Sequence, residues 1–502
     1  MGMAIDLSTA GGLTLALLPE LVLTGWALVL LLVVGWRHRN DADQAMTGQL
    51  ALLALLSTVL VLLWLWGRGA YTVEPHMIVL DAFRYGTALV FLLGAILAVM
   101  LSLHYLERER VLVPEYYVMV LLATVGMMFM GGGSDLIVIF LGLELMSLSV
   151  YVLAGIDRRS AFAAEAAVKY FLLGAFASGF FLYGIALIYG ATGTTNLVGI
   201  HQSILRYGLQ SNVMLAIGIG LLLIGFGFKV AAVPFHMWAP DVYDGAPTPV
   251  TALMAAAVKA AGFAALFRVL FQALGASELV WQQIAWWLAV LTMIVGNLVA
   301  LAQTHLKRML AYSSIGHAGY ILVAVASGTL AGAAAFLFYI LAYTFVTLGA
   351  FAVLAAAGRG GERDVKIDDL SGLAVRRPWI AFAMAVFMLS LLGFPGTAGF
   401  IGKWLILSAA VQSGQGLLAV VLVLASVLSA GYYLPVIMAM YMKPASSEGA
   451  HKGVDLIGAA RWVVGVAAVV LLLLGVWPNR AMDAARGGTE GLQPTPTRVF
   501  TD

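Results

Sequence analysis

The chain has 502 residues, 62% hydrophobic and only 10% charged, with a net charge of +2. A water-soluble domain carries about 25% charged residues, so this composition excludes one and points to a membrane protein. There is no cysteine, which leaves disulfides, iron–sulfur ligation and thiol chemistry without a residue to carry them. The near-neutral charge singles out no charged partner, and no nucleic-acid partner is expected.

Apolar runs of about 20 residues, long enough to cross ~30 Å of hydrocarbon, recur along the whole chain. About fourteen spans are expected, at 14–36, 48–66, 86–106, 114–132, 135–155, 165–190, 213–239, 248–274, 280–302, 306–328, 331–357, 379–411, 416–441 and 460–477. The fold class is therefore an all-α polytopic membrane protein. The opening MGMAIDLSTAGG lacks a basic stretch, so no cleavable signal peptide is expected. Glu20 and Asp135 lie near span ends, where they would cap or anchor.

The fifth span, in LIVIFLGLELMSLSVYVLAG, carries Glu144 in its middle. The sixth opens with Glu165 and Lys169, an i,i+4 pair that could be a surface salt bridge or could turn inward and feed Glu144. The seventh, GFGFKVAAVPFHMWAPD, carries Lys229, with His236 between Pro234 and Pro240. The eighth carries Lys259 in TALMAAAVKAAGFAA, and Arg268 near its outer end could snorkel. The tenth, AYSSIGHAGYILVA, carries His317 one turn after Ser313 and Ser314. The twelfth holds Gly393-Phe394-Pro395-Gly396 and then Lys403. Proline removes a backbone donor and clashes with the preceding turn, so spans seven and twelve should be kinked or broken. The charged loop 360–377 should be an exposed connection, and the tail GGTEGLQPTPTRVFTD reads as disordered.

Lys229, Lys259, Lys403 and Glu144 are the chemistry in this sequence. An ionisable group at mid-membrane depth costs at least ~2.5–3.5 kcal/mol, so such residues are functional candidates by default. One intramembrane lysine could be a structural ion-pair partner, but four such groups, two of them at helix breaks, argue against a purely structural account. Burial disfavours an ammonium, and a nearby carboxylate restores it. At ~6 Å and an effective dielectric of about 20 that attraction is roughly 3 kcal/mol, enough to load and release a proton. The expected row is Glu144 beside Lys229, then Lys259, then Lys403. Lys169, His317 and His236 are further relay candidates; for His317 the bland alternative is a packing histidine, and for His236 an interfacial one.

Paired proline/glycine interruptions in corresponding spans point to inverted-repeat transporters. Lys229 and Lys403 are separated by five spans, and an odd number inverts the second unit. The expected organisation is a three-helix segment at 1–110, inverted half-channels at 111–275 and 276–442, and a final helix with a flexible tail at 443–502. Loops on one side hold sixteen lysines and arginines against three on the other. By the positive-inside rule both termini should lie outside, in the periplasm of a bacterium.

These residues resemble the antiporter-like subunits of respiratory complex I, the proton-pumping NADH:quinone oxidoreductase. FLGLELMSLSVYVLAG resembles the family's fifth helix, FKVAAVPFHMWAPDVYDGAPTPVTALMAAAVKAAG its seventh and eighth, and GFPGTAGFIGKW its twelfth. Among the paralogues, the M type has a glutamate where this chain has Lys403, and the L type continues into a long lateral helix. The GFIGKW and LLPEL wording resembles the N type. The resemblance implies fourteen helices with two inverted half-channels in a bacterial inner membrane, between M-type and K-type neighbours. It implies no cofactor in this chain, with flavin mononucleotide and iron–sulfur clusters in partner subunits. Alternatives are a subunit of an Mrp-type sodium/proton antiporter or membrane-bound hydrogenase, a stand-alone carrier for an organic solute, and a structural scaffold.

Overall fold

The computed structural model describes residues 2–37, 41–72, 76–111, 113–358, 365–444 and 456–492. The described chain is a bundle of helices with one two-residue parallel strand pair, β1 (Ala4–Ile5) and β2 (Tyr71–Thr72). The N-terminal part holds α1 (Ala10–Ala16), α2 (Leu18–Arg37), α3 (Asp41–Gly67) and α4 (Ala82–Arg108). The middle holds α5 (Glu115–Gly132), α6 (Leu136–Ala154), α7 (Ala161–Thr192), the short α8 (Leu197–Tyr207), α9 (Val213–Val230), α10 (Trp238–Gly245) and α11 (Thr248–Ala273). Then come α12 (Glu278–Leu301), α13 (Leu306–Ala326), α14 (Leu330–Ala357), α15 (Pro378–Leu392), α16 (Ala398–Gln412), α17 (Gly416–Met442), α18 (Ala460–Val476) and α19 (Asn479–Gly487).

Helix boundaries follow local chemistry. Asp81, Asp135, Ser160, Asn212 and Thr329 stand at N-caps, each side chain accepting from a backbone N–H of the first turn. Asp135 thus caps α6, as its position in the sequence suggests, and also accepts from Thr195. Gly193 ends α7 in the left-handed conformation at φ 76°.

Among the described residues twelve helices are long and apolar enough to cross a membrane. The difference from the expected fourteen has a physical origin. The turn at 393–397 divides one expected span into two 15-residue helices, each only ~22 Å long. The last expected span, α18, has 17 residues, after which the chain bends by 87° into 479–492. Helices α11, α13 and α14 are buried almost throughout and form the centre, while α2, α3, α7 and α17 turn most of their surface outward.

Two buried ion pairs tie the end of the bundle that carries the N-terminus. Arg84 reaches Glu20 at 2.6 Å and the Ala16 carbonyl at 3.0 Å. Arg268 is wholly buried, so it does not snorkel. Its two terminal nitrogens grip both oxygens of Asp81 at 2.8 and 2.9 Å, and its Nε donates to the Gly131 carbonyl. Gln272, one turn further on, donates to the Gly491 carbonyl at 2.6 Å. Residues 487–492 of the expected disordered tail are therefore folded against this cluster, while 493–502 lie outside the described residues. Within the expected charged loop, 360–364 also lie outside them; Ile367–Leu370 form a helical turn and Lys443 pairs with Asp368 at 2.6 Å.

Removing one partner of a buried ion pair costs about 3–5 kcal/mol, because the other charge is left uncompensated. Asp81→Ala, which strands Arg268, is expected to lower the thermal unfolding midpoint of the purified chain clearly. Glu165→Ala, at the exposed pair with Lys169, should leave it almost unchanged. Equal midpoints for the two variants would contradict the assignment of Arg268–Asp81 as a structural lock.

Candidate functional site

The helix that carries Lys229 stops one residue later. Ala231 takes the left-handed conformation, φ 59° and ψ 42°, and the chain leaves the helix through 231–237, including a cis peptide at Val233–Pro234. A non-glycine residue in that region marks backbone held by its surroundings. The surroundings here are visible: the Trp238 indole donates at 2.9 Å to the Phe228 carbonyl, which also accepts from the Ala231 N–H, and Val233 N–H donates to Thr292 at 2.9 Å. The second interruption follows α15, where Gly393 takes φ 87°. The two lysines stand on opposite sides of their breaks: Lys229 precedes its own, and Lys403 follows in α16.

Lys229 is buried, and its ammonium donates to Ser147 at 2.7 Å. Ser147 lies three residues after Glu144 on α6, the spacing that puts two side chains on one helix face. Glu144 itself is half-buried and accepts from Ser178 of α7. Glu144 thus shares a helix face with the serine that Lys229 donates to, but no direct ion pair joins Glu144 to Lys229. The Lys229 ammonium also lies 5.4–5.6 Å from the rings of Tyr170 and Tyr151, a favourable arrangement for a cation. Trp238 stacks on Tyr170 at 4.3 Å and closes the cluster.

Lys259 sits midway along α11, directly after a π-helical stretch at Met254–Val258. Such insertions shift the phase of a helix face. Its ammonium donates to the carbonyl of Ser314 at 2.6 Å and to the Ser314 hydroxyl. Gly262, one turn on, lets α11 approach the first cluster: a Cβ there would stand 3.3 Å from Lys229 Cγ and 3.1 Å from Val230 Cγ1. The Lys229 and Lys259 clusters therefore adjoin through packing, with no hydrogen bond running between them among the described residues.

From Lys259 onward the polar contacts are nearly unbroken. Ser313, beside Ser314, bonds the Tyr433 hydroxyl. Tyr433 also meets His317 Nε2 at 2.9 Å, and His317 Nδ1 meets Tyr339 at 2.6 Å. His317 is buried with both ring nitrogens engaged, so it is part of this network and also helps hold it. The next aromatic, Tyr320, carries the Lys403 ammonium 4.5 Å from its ring centre. Lys403 turns back across its break and donates to the Leu392 carbonyl at 2.9 Å, an acceptor that the end of α15 sets free. Asn297 steadies the far side, accepting from Tyr432 at 2.7 Å.

Two candidates fall elsewhere. Lys169 does not face Glu144. It is 40% exposed and pairs with Glu165 and with Asp241 of α10, both at 2.7 Å. His236 lies in the loop of the first break, half-buried, its Nδ1 without a partner among the described residues, and it contacts none of the buried lysines. Sequence reasoning overlooked Ser147, Ser178, Tyr320, Tyr339 and Tyr433. Ser147 had a usable signal, its i+3 spacing from Glu144. The tyrosines had none, because an aromatic in an apolar span reads as core.

A model of the family described as NADH:quinone oxidoreductase/Mrp antiporter, transmembrane, matches residues 133–429, the stretch that holds Glu144, Lys229, Lys259 and Lys403. Over 98% of its length the chain is 46% identical to NADH-quinone oxidoreductase subunit N of Gemmatimonas aurantiaca, covering 96% of that protein. A chain of respiratory complex I from Thermus thermophilus has 37% identity and a TM-score of 0.79, with 94% of this chain and all of that chain covered. A chain of the Mrp complex from a Dietzia species reaches a TM-score of 0.83 at only 23% identity, over 96% of this chain and 98% of that one, which is a likeness of fold alone.

Leaving a buried hydrogen-bonding group unpaired costs about 1–3 kcal/mol. Tyr433→Phe removes the hydroxyl shared by Ser313 and His317, and is expected to lower the thermal unfolding midpoint. Tyr441→Phe, at an exposed ring, should not. A Tyr433→Phe chain as stable as its parent would mean that the shared hydroxyl does not hold this network together.

Proposed function

The chain belongs to the NADH-quinone oxidoreductase subunit N family, and on that premise we propose that it moves protons across the membrane as part of such a complex. The path uses Glu144, Lys229, Lys259, His317 and Lys403. The observation that supports it best is the pairing pattern: Lys229, Lys259 and Lys403 each rest on a serine hydroxyl or a backbone carbonyl, with no fixed counter-ion among the described residues. A permanent ion pair would hold a proton in place. A lysine held by neutral acceptors instead responds to the approach of a carboxylate or of a neighbouring charge. Glu144, one helical turn from Ser147, is placed to act on Lys229 in that way. Hydroxyls, which both donate and accept, can pass a proton between Lys259 and the region of Lys403.

Reduction of quinone and oxidation of NADH fall to partner subunits. This chain has no cysteine to ligate an iron–sulfur cluster, and flavin mononucleotide would likewise be bound by a partner. The M-type and K-type subunits are the proposed neighbours. We assign the lysine- and arginine-rich face to the cytoplasm and both termini to the periplasm, in the inner membrane of a bacterium. Two inverted units, 111–275 and 276–442, each contain one interrupted helix and one half of the path. The half-buried Glu144 is the natural entry point for a signal from a neighbouring subunit.

The test is transport by the assembled complex in liposomes, with NADH and quinone supplied. Lys259→Ala should abolish proton uptake linked to this subunit while the complex still assembles and oxidises NADH. Full pumping by that variant would sink the relay. Co-purification of the chain with a dozen other subunits, flavin and iron–sulfur clusters is expected. Isolation as a redox-free assembly that exchanges sodium for protons would favour an Mrp-type function instead.

A further inference from the structure

The short helix α10, which follows the first break, lies at the lysine- and arginine-rich end of the bundle, against α7 and α13. Asp241 on its outer side reaches both of them. One carboxylate oxygen accepts from Lys169 of α7 at 2.7 Å, and the other from Arg308 of α13 at 3.4 Å. Asp241 is 38% exposed, so these contacts stand at the water's edge. An ion pair there is worth little and opens readily. The inner side of α10 is different. Trp238, Val242 and Tyr243 are buried, Trp238 stacks on Tyr170 at 4.3 Å, and it meets Tyr243 edge-on at 5.7 Å. Tyr170 directly follows Lys169 in α7, and its ring centre is 5.4 Å from the Lys229 ammonium.

Two layers therefore stand between Lys229 and this face, an aromatic one and then an ionic one, and α10 contributes to both. The Tyr170 hydroxyl is buried and has no partner among the described residues, a state that a water molecule entering past α10 would relieve. The backbone allows the movement. α10 leaves at both ends through non-helical chain, 231–237 before it and Ala246–Pro247 after it, so it can shift without unwinding a spanning helix. Its far end is pinned, where Thr251 and Lys307 donate to the Tyr243 and Ala246 carbonyls at 2.8 and 2.7 Å. The end with Trp238 is held by the indole bond to Phe228 and by Asp241, one turn on. We propose that α10 is a gate between the lysine- and arginine-rich face and Lys229, plugged by Trp238 against Tyr170 and latched shut by Asp241 through Lys169 and Arg308. The gate rests on the reading of Lys229 as a proton carrier and names the opening through which water and protons reach it. Asp241 is a positioning residue, since it touches no proton carrier.

The chain has no cysteine, so a single introduced one reports alone. Ala239→Cys, beside Trp238 and fully buried, would be placed in the assembled complex in inverted membrane vesicles. Its reaction with a charged, membrane-impermeant methanethiosulfonate would be followed on this subunit by mass. The reaction should be slow at rest and faster while NADH is being oxidised. Adding Asp241→Asn should speed the resting reaction about fivefold, the scale of losing two half-exposed ion pairs. Asp241→Glu, which keeps the charge, should leave it slow. Gly245→Ala should also speed it without changing any charge, because the added Cβ would stand 2.6 Å from the Phe162 carbonyl oxygen and wedge α10 off α7. Ala324→Cys, buried in α13, should stay unreactive in every background. An unchanged rate with Asp241→Asn, or equal rates at rest and in turnover, would overturn the gate. So would a parallel rise at Ala324→Cys, which would mean general loosening. Accessibility is read without measuring proton transport, so failure of the gate and failure of the relay are told apart.

Discussion

A polar group inside a hydrocarbon layer must find its partner within the protein, and the organisation of this chain follows from that constraint. Interrupting a helix in the middle of the bundle creates donors and acceptors that no solvent can satisfy. Here the protein satisfies them with its own side chains: Trp238 covers the Phe228 carbonyl, Thr292 takes the Val233 N–H, and Lys403 covers the Leu392 carbonyl. The last of these has a double effect. The ammonium that closes the broken helix is one of the candidate proton carriers, so opening that contact exposes a helix end and frees a lysine at once.

The same constraint separates two classes of buried charge. Arg84–Glu20 and Arg268–Asp81 are fully paired, and they bind the N-terminal helices to the bundle. Such a pair is costly to break from one side and therefore stays closed. Lys229, Lys259 and Lys403 are bound to neutral acceptors. The contrast lies in the partner, since all of these groups are buried. It makes one set suited to holding the structure and the other to responding to a moving charge.

The hydroxyl network explains why the central helices are so densely packed. His317 engages both ring nitrogens with tyrosines from α14 and α17, so three helices share one set of hydrogen bonds. Gly262 brings α11 against the stem of Lys229, and a side chain there would push the two lysine clusters apart. Packing and the polar path are thus the same construction: the close approach of small residues is what lets side chains from different helices meet.

The membrane class, the approximate spans, both interruptions and the three lysines 229, 259 and 403 inside apolar runs were legible in the order of the residues. Hydropathy, proline and intramembrane charge act locally, and each leaves its mark within a single run. The family wording around Glu144, Lys229 and Lys403 was likewise a property of contiguous segments. Partnership was not legible. That Arg268 would grip Asp81, 187 residues away, and that Lys169 would turn to Asp241 and not to Glu144, depended on how distant helices pack. The same holds for the tyrosines, which in sequence are indistinguishable from apolar core until a histidine or serine from another helix meets their hydroxyls. The sequence by itself determined which segments must enter the membrane and where they are interrupted; only the tertiary structure decided what each polar side chain faces, because a side chain's partner is set by contacts between segments far apart in the chain.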